Sequence, residues 1–250
     1  MSDNVRRDNR RALPKYLLTI LLCGLLGGVL GFFTGVAGAA GVAETVRQAL
    51  DRALEAAAPW GIVISAVILL GAGWYLYAAA KRRCDAWDGE DEDTMDAVEQ
   101  QLGWALLLTG LMIVLDFFFF AASIVYGRFL QDLVLFLASV VVLIVLQQKV
   151  VDLERRLNPE KRGSVYDMKF QKTWMDSCDE AERAQIGQAS FRAFRAVNVF
   201  CPFLWVVLLV LSYVFPIGLL PMAAVLLVWA VLEVTYILEC MRLSKRAGNM

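Results

Sequence analysis

The chain has 250 residues, of which 59% are hydrophobic and 20% charged, with a net charge of -1 and no histidine. Soluble domains contain about 45–50% apolar and about 25% charged residues, so this composition argues against a soluble protein. Without histidine the chain lacks the usual acid–base residue and metal ligand. We also find no nucleotide-binding loop, hydrolase motif or basic face, and therefore predict no enzyme, cofactor, metal site or nucleic-acid binding.

Six apolar runs divide the chain. Roughly 17–25 apolar residues suffice to cross the hydrocarbon layer as a helix, and helices satisfy their own backbone hydrogen bonds there. We predict an all-α fold, a six-span transmembrane helical bundle. The spans are Leu17–Gly38, Pro59–Ala80, Leu102–Ala122, Leu130–Leu146, Val199–Phe215 and Leu219–Leu238. The first run also resembles a cleavable signal peptide, although it is longer than the usual 7–15 apolar residues.

The positive charges predict the orientation, because cytoplasmic segments are enriched in Lys and Arg. With the N-terminus inside, only Arg47, Arg52 and Arg128 of the 24 cations fall outside. We therefore predict a bacterial cytoplasmic membrane protein with both termini in the cytoplasm. The segments are a basic tail (1–16), four spans with an acidic inner loop (17–146), a cytoplasmic helical hairpin (147–197), two further spans (198–240) and a second tail (241–250).

The first span and the segment after it have distinct patterns. Gly27, Gly31 and Gly35 recur every four residues and share one helix face. Such a face favours close packing with another helix of the chain, or alternatively a homodimer contact. Residues 42–57 alternate apolar and charged positions at helical spacing, which predicts an amphipathic helix lying in the outer interface.

The inner hairpin is the largest polar segment and the best candidate for docking a partner. The fourth span is expected to continue out of the bilayer until Asn158-Pro159 ends it. Ser177 and Glu180 match a capping box that opens the helix entering span five. The candidate partner-docking residues are Arg155, Arg156, Tyr166 and Trp174.

Charged side chains within spans are costly and are the first place to look for function. Asp116 lies in span three and Asp132 near the outer start of span four, with Arg128 in the short link between them. These residues predict either a polar cavity that binds a cation or proton, or an Arg128–Asp132 pair that holds the two spans together. Glu233 in span six is a further candidate.

The segment from Asn158 to Trp174, together with the Ser177–Glu182 segment that follows, resembles a family of bacterial integral membrane proteins catalogued as domain of unknown function thirty-one sixty-nine. The segments Gly218–Pro221 and Leu243–Lys245 fit the same family. The resemblance covers most of the chain and implies a location in the bacterial cytoplasmic membrane. It implies no activity, so no functional residue is carried over from it.

Two hypotheses about function follow. The first is a non-enzymatic permease or transport-accessory component in the lipid bilayer, which would use a separate ATPase or regulator because the chain has no nucleotide motif. The alternative is a scaffold, sensor or self-protection protein that binds another membrane protein through the 147–197 hairpin.

The predicted orientation can be tested with reporter fusions. Because the spans are even in number, a phosphatase–fluorescent-protein reporter fused at Asn4 and one fused at Asn249 are both expected to report the cytoplasm. Fusions that report opposite sides of the membrane would contradict the six-span topology.

Overall fold

The computed structural model describes residues 41–87, 91–126, 129–212 and 215–247, with short helical stretches between 13 and 36. These residues form helices and loops and contain no strand, which confirms the all-α prediction. The helices are α1 (Val42–Ser65), a π-helical turn (Ala66–Leu70), α2 (Gly71–Ala86), α3 (Glu92–Val125), α4 (Phe129–Leu157), α5 (Phe170–Asp176), α6 (Glu180–Ser212) and α7 (Leu220–Ala247). They divide into two compact units, residues 50–185 and residues 1–49 with 186–250.

Five helical segments are long and apolar enough to cross a membrane, and they correspond to predicted spans two to six. They are Trp60–Ala86, Asp93–Val125, Leu130–Leu157, Glu180–Ser212 and Leu220–Leu243. Predicted span one, 17–38, is described only in short helical stretches separated by residues outside the described part of the chain. The structure therefore supports a membrane protein with at least these five segments.

The segment that we expected to form a separate amphipathic helix belongs to a longer one. α1, the π-helical turn and α2 follow one another without a break from Val42 to Ala86. The prediction of two separate elements, 42–57 and 59–80, is therefore wrong. A proline interrupts the helical hydrogen bonds only locally, so the helix continues past position 59.

In the 50–185 unit, α3 and α4 each bury a single stripe of side chains with alternating steps of three and four residues. A seven-residue repeat of this kind keeps one face of a helix against its neighbour. The α3 stripe is at most 2% exposed and consists of Val98, Leu102, Ala105, Thr109, Met112, Asp116 and Ser123. The α4 stripe is at most 7% exposed and consists of Asp132, Ser139, Leu143, Leu146, Val150, Leu153 and Leu157, and Gln148 and Val151 are buried beside it.

The π-helical turn shifts the spacing of buried residues in the continuous helix formed by α1 and α2. Buried positions before the turn end at Ser65 and resume at Leu70, five residues later. They continue at Gly73 and Ala80 in α2. Since one residue rotates an α-helix by about 100°, the extra residue keeps both halves of the helix facing the same core. Leu70 and Ala80 pack there with residues of α3 and α4.

In the other unit, α6 and α7 are joined by polar and aromatic contacts. Trp229 Nε1 donates a hydrogen bond of 2.7 Å to Asn198 Oδ1, and the rings of Phe194 and Tyr236 stack with centroids 4.2 Å apart. Pro202 lies inside α6 without ending it. At the predicted hairpin between spans five and six, Gly218 adopts a φ of 67°, which glycine accepts without steric cost.

Gln148 attaches the loop that follows α4 to that helix. α4 ends at Leu157, as Asn158-Pro159 predicts. Gln148 is only 8% exposed. Its Oε1 accepts hydrogen bonds from Ser164 Oγ (2.9 Å) and Val165 N (2.8 Å), and its Nε2 donates to Asp152 Oδ1 (2.8 Å). One buried amide therefore holds the loop against α4.

A buried lysine attaches the same loop to the start of α6. Lys161, 4% exposed, forms an ion pair with Glu182, and its Nζ lies 3.7 Å from Cys178 Sγ. Burial alone lowers the pKa of Lys161. The hydrogen bond to Glu182 and the neighbouring charges outweigh this effect, so the pKa lies above its usual value. Lys161 is therefore a charged structural residue.

The predicted cap of α6 is displaced by two residues. Ser177 is not its N-cap; it ends α5, where its hydroxyl donates to Trp174 O (2.7 Å) and accepts from Arg162 N (3.1 Å). The reciprocal capping bonds instead join Asp179 and Glu182, at 2.8 and 2.9 Å. The sequence holds two overlapping acidic matches to the capping box, and the earlier one lies in the α5 turn.

Deletion of Val67 tests the role of the π-helical turn. This exposed residue lies in the turn, so its removal leaves Ser65 and Leu70 four positions apart, the step of a regular helix. We expect the variant to fold, with a melting temperature in detergent within about 5 °C of the parent, equivalent to roughly 1–2 kcal/mol for a chain of this size.

Deletion of Tyr75 is the matched control. This residue is equally exposed but lies in regular α2. Its removal rotates one half of the buried stripe by about 100°, so we expect gel filtration to show loss of the folded species. Equal behaviour of the two deletions would contradict the assigned role of the turn.

Gln148→Leu is expected to release the loop. It removes three hydrogen bonds, each with a net contribution of about 0.5–1.5 kcal/mol, and we expect tryptic cleavage after Arg162 to accelerate about tenfold or more because proteolysis follows the open population. Gln147→Leu alters a neighbouring amide that makes no contact with the loop in the described residues and is expected to leave the cleavage rate unchanged.

Candidate functional site

The Asp116 carboxylate lies where α1, α3 and α4 meet. It is 0% exposed. Ser65 Oγ of α1 donates to its Oδ1 at 3.1 Å, and Ser139 Oγ of α4 donates to its Oδ2 at 2.5 Å. Each carboxylate oxygen thus has a hydroxyl donor, as a polar group buried among membrane-crossing helices requires.

Two further polar levels lie along α3 and α4. On one side of Asp116, Gln147 Nε2 is 3.4 Å from Thr109 Oγ1. On the other side, the same antiparallel register brings Ser123 level with Asp132, and both are buried. We call these residues, with Ser65 and Ser139, the polar seam. Its α3 members Thr109, Asp116 and Ser123 recur every seven residues, so the seam extends over about 20 Å.

Asp132 differs from Asp116 in its hydrogen bonding. It is 2% exposed, and its Oδ2 is buried without a hydrogen-bond partner. Burial of an ionised carboxylate without a partner costs several kcal/mol. Among the described residues, the seam therefore contains one carboxyl group with a hydroxyl contact at each oxygen and one with a buried oxygen that has no partner.

Apolar side chains separate the three levels of the seam. Met112 is fully buried between Thr109 and Asp116. Between Asp116 and Asp132, the rings of Phe120 and Phe136 stack with centroids 4.8 Å apart. The levels are about 10 Å apart along the helix axes, so side-chain movement is needed for an ion or proton to pass from one to the next.

The seam contains two buried carboxyl groups, Asp116 and Asp132. Among the described residues, no Lys or Arg forms an ion pair with Asp116 or Asp132. Arg128, the predicted partner of Asp132, lies outside the described residues, so the Arg128–Asp132 pair stays a prediction.

The other predicted site residues are not part of the seam. Glu233 is half-buried on α7, in the other unit. Gly27, Gly31 and Gly35 are helical, and a Cβ added to any of them would meet no atom within 4 Å. The expected close packing on these glycines is thus not found in the described part of the chain, and the homodimer contact stays a prediction.

Three of the four predicted docking residues make contacts within the chain. Arg156 Nη1 forms a 2.9 Å ion pair with Asp85 Oδ1 of α2, and the Trp174 ring packs against Phe170 at 5.7 Å. Arg155 lies 3.9 Å from Asp152 on its own helix. The Tyr166 side chain is 66% exposed. Tyr166, Arg155 and Arg156 all have exposed side chains, whereas Trp174 is partly buried.

Sequence reasoning missed the hydroxyl and amide members of the seam. A single serine or threonine in an apolar run often bonds to its own helix backbone, so Ser65 and Ser139 gave no clear signal. The seven-residue spacing of Thr109, Asp116 and Ser123 was the available signal, because it predicts that all three share one helix face.

The comparisons with known proteins agree with the resemblance drawn from the sequence. No curated protein and no solved structure matches the chain. One family model matches residues 10–240, nearly the entire length. The chain therefore belongs to the family described as Protein of unknown function (DUF3169).

Proposed function

We propose that this protein is a permease or transport-accessory component of a bacterial cytoplasmic membrane, with both termini in the cytoplasm, in which the polar seam binds a proton or a monovalent cation. The observation that carries the proposal is the buried Oδ2 of Asp132, which has no hydrogen-bond partner among the described residues. The two buried carboxyl groups of the seam and its length of about 20 Å add support.

The physical argument begins with the cost of burying charge. An ionised Asp132 with an unpaired oxygen is unfavourable in an apolar environment, whereas a bound proton or cation removes the unpaired negative charge. Asp132 is therefore most stable when a proton or cation is bound to it. A carboxyl group of this kind is suited to take up an ion and release it when its surroundings change.

Asp116 is suited to a complementary role. The hydroxyls of Ser65 and Ser139 stabilise it as an anion. A hydroxyl can donate and accept at the same time, so by reorienting these serines can donate to the ionised carboxylate and accept from the protonated one. Movement of the apolar groups between the levels would then control transfer along the seam.

Proton flux into liposomes tests the proposal. We expect the purified protein to carry protons, reported by internal pyranine, or sodium ions, measured as a radiotracer, under a valinomycin-imposed potential. Asp132→Asn and Asp116→Asn are each expected to reduce this flux about tenfold or more, equivalent to at least about 1.4 kcal/mol in the barrier.

The matched control is Asp96→Asn, which neutralises an exposed carboxylate on α3 and is expected to leave the flux unchanged. Flux equal to that of protein-free liposomes, or full flux in the Asp116 and Asp132 variants, would contradict the transport proposal. The former result would favour the alternative of a scaffold or sensor that binds another membrane protein.

A further inference from the structure

An apolar groove between α1 and α3 reaches the seam at Ser65. The groove encloses about 480 Å³, within the range of small-molecule sites. Its walls include Trp60, Ile64, Ile68, Leu115 and Phe119, and Ser65 is its polar member. Trp60, Ile64 and Ile68 are more than half exposed. These residues belong to segments that are apolar and long enough to cross a membrane, so the groove lies at the depth of the hydrocarbon layer.

The backbone is shaped around this groove in two places. Gly61 lets the Phe119 ring approach so closely that a Cβ at position 61 would lie 2.1 Å from Phe119 Cδ1. Ile68 and Leu69 come from the π-helical turn, and such turns occur frequently at functional sites because the extra residue alters which side chains are presented.

The Asp116 carboxyl group lies directly behind the groove wall. Ser65 lines the groove and donates to Asp116 Oδ1 at 3.1 Å. Asp116 has no cationic partner among the described residues. The electrostatic field of a carboxylate is weakly screened in an apolar environment. When Asp116 is ionised, a positive charge in the groove is therefore stabilised beside Ser65, and a negative charge is repelled.

We propose that this groove binds a lipophilic monocation that enters from the hydrocarbon layer, with its apolar body against Trp60, Ile64 and Leu115 and its charge beside Ser65. The inference deepens the proposed function and rests on it for the role of Asp116, because it names the class of molecule that the seam handles. Binding of the cation and of a proton near the same carboxylate would be mutually exclusive, as exchange of one for the other requires.

Equilibrium dialysis with tetraphenylphosphonium tests this site. This cation and tetraphenylborate have similar size and shape but opposite charge. We expect the full-length protein in detergent to bind radiolabelled tetraphenylphosphonium saturably, above the partitioning into empty micelles, and tetraphenylborate not to compete. Asp116→Asn is expected to weaken binding about tenfold or more, as loss of one buried charge does at other sites, whereas Asp96→Asn leaves it unchanged.

The comparison of the two ions uses the unmodified protein, so it tests whether the groove prefers a cation even if Asp116→Asn fails to fold. The inference is overturned if tetraphenylphosphonium shows no saturable binding, if tetraphenylborate competes equally, or if folded Asp116→Asn binds as the parent does. Carboxylate-dependent flux without tetraphenylphosphonium binding would overturn only the groove. Asp116-dependent binding without any flux would contradict only the transport proposal.

Discussion

The hydroxyls of Ser65 and Ser139 hold the Asp116 carboxylate between three helices that are otherwise packed through apolar side chains. In a hydrocarbon solvent, water cannot supply the missing donors, so a buried carboxylate has to find them on neighbouring helices. This requirement fixes the rotation of α1, α3 and α4 about their own axes. That common orientation accounts for the seven-residue stripes of α3 and α4. It also accounts for the π-helical turn between α1 and α2 and for the position of the groove.

Much of the architecture could be predicted from the sequence, because length and apolarity alone decide which segments cross a bilayer. Predicted spans two to six each coincide with a long apolar helix, and Asn158-Pro159 correctly marks the end of α4. Local patterns were less informative. Residues 42–57 look like an independent amphipathic helix, yet they continue into the next span, because helix continuity costs less than a break that exposes backbone groups. The Ser177 match to a capping box was overruled by the Asp179 match two residues later.

The candidate site was only partly predictable. A charged residue in an apolar run is conspicuous, so Asp116 and Asp132 could be identified directly. The hydrogen-bond donors of Asp116 could not be identified, because the pairing of Ser65 with Asp116 depends on a tertiary contact between residues 51 positions apart in the chain. The π-helical turn leaves no reliable mark in the sequence, since Ala66–Leu70 is as apolar as any regular helical turn.

The extra residue of the π-helical turn offsets the helical segments on either side of it by one residue. Its position along the helix can change without unfolding the helix. If the surplus residue moved one turn towards the N-terminus, Ser65 would swing by about 100° and its hydroxyl would leave the carboxylate, while both ends of the helix stayed in place. Movement of this single extra residue would thus separate Ser65 of α1 from Asp116 at the cost of only a few backbone hydrogen bonds.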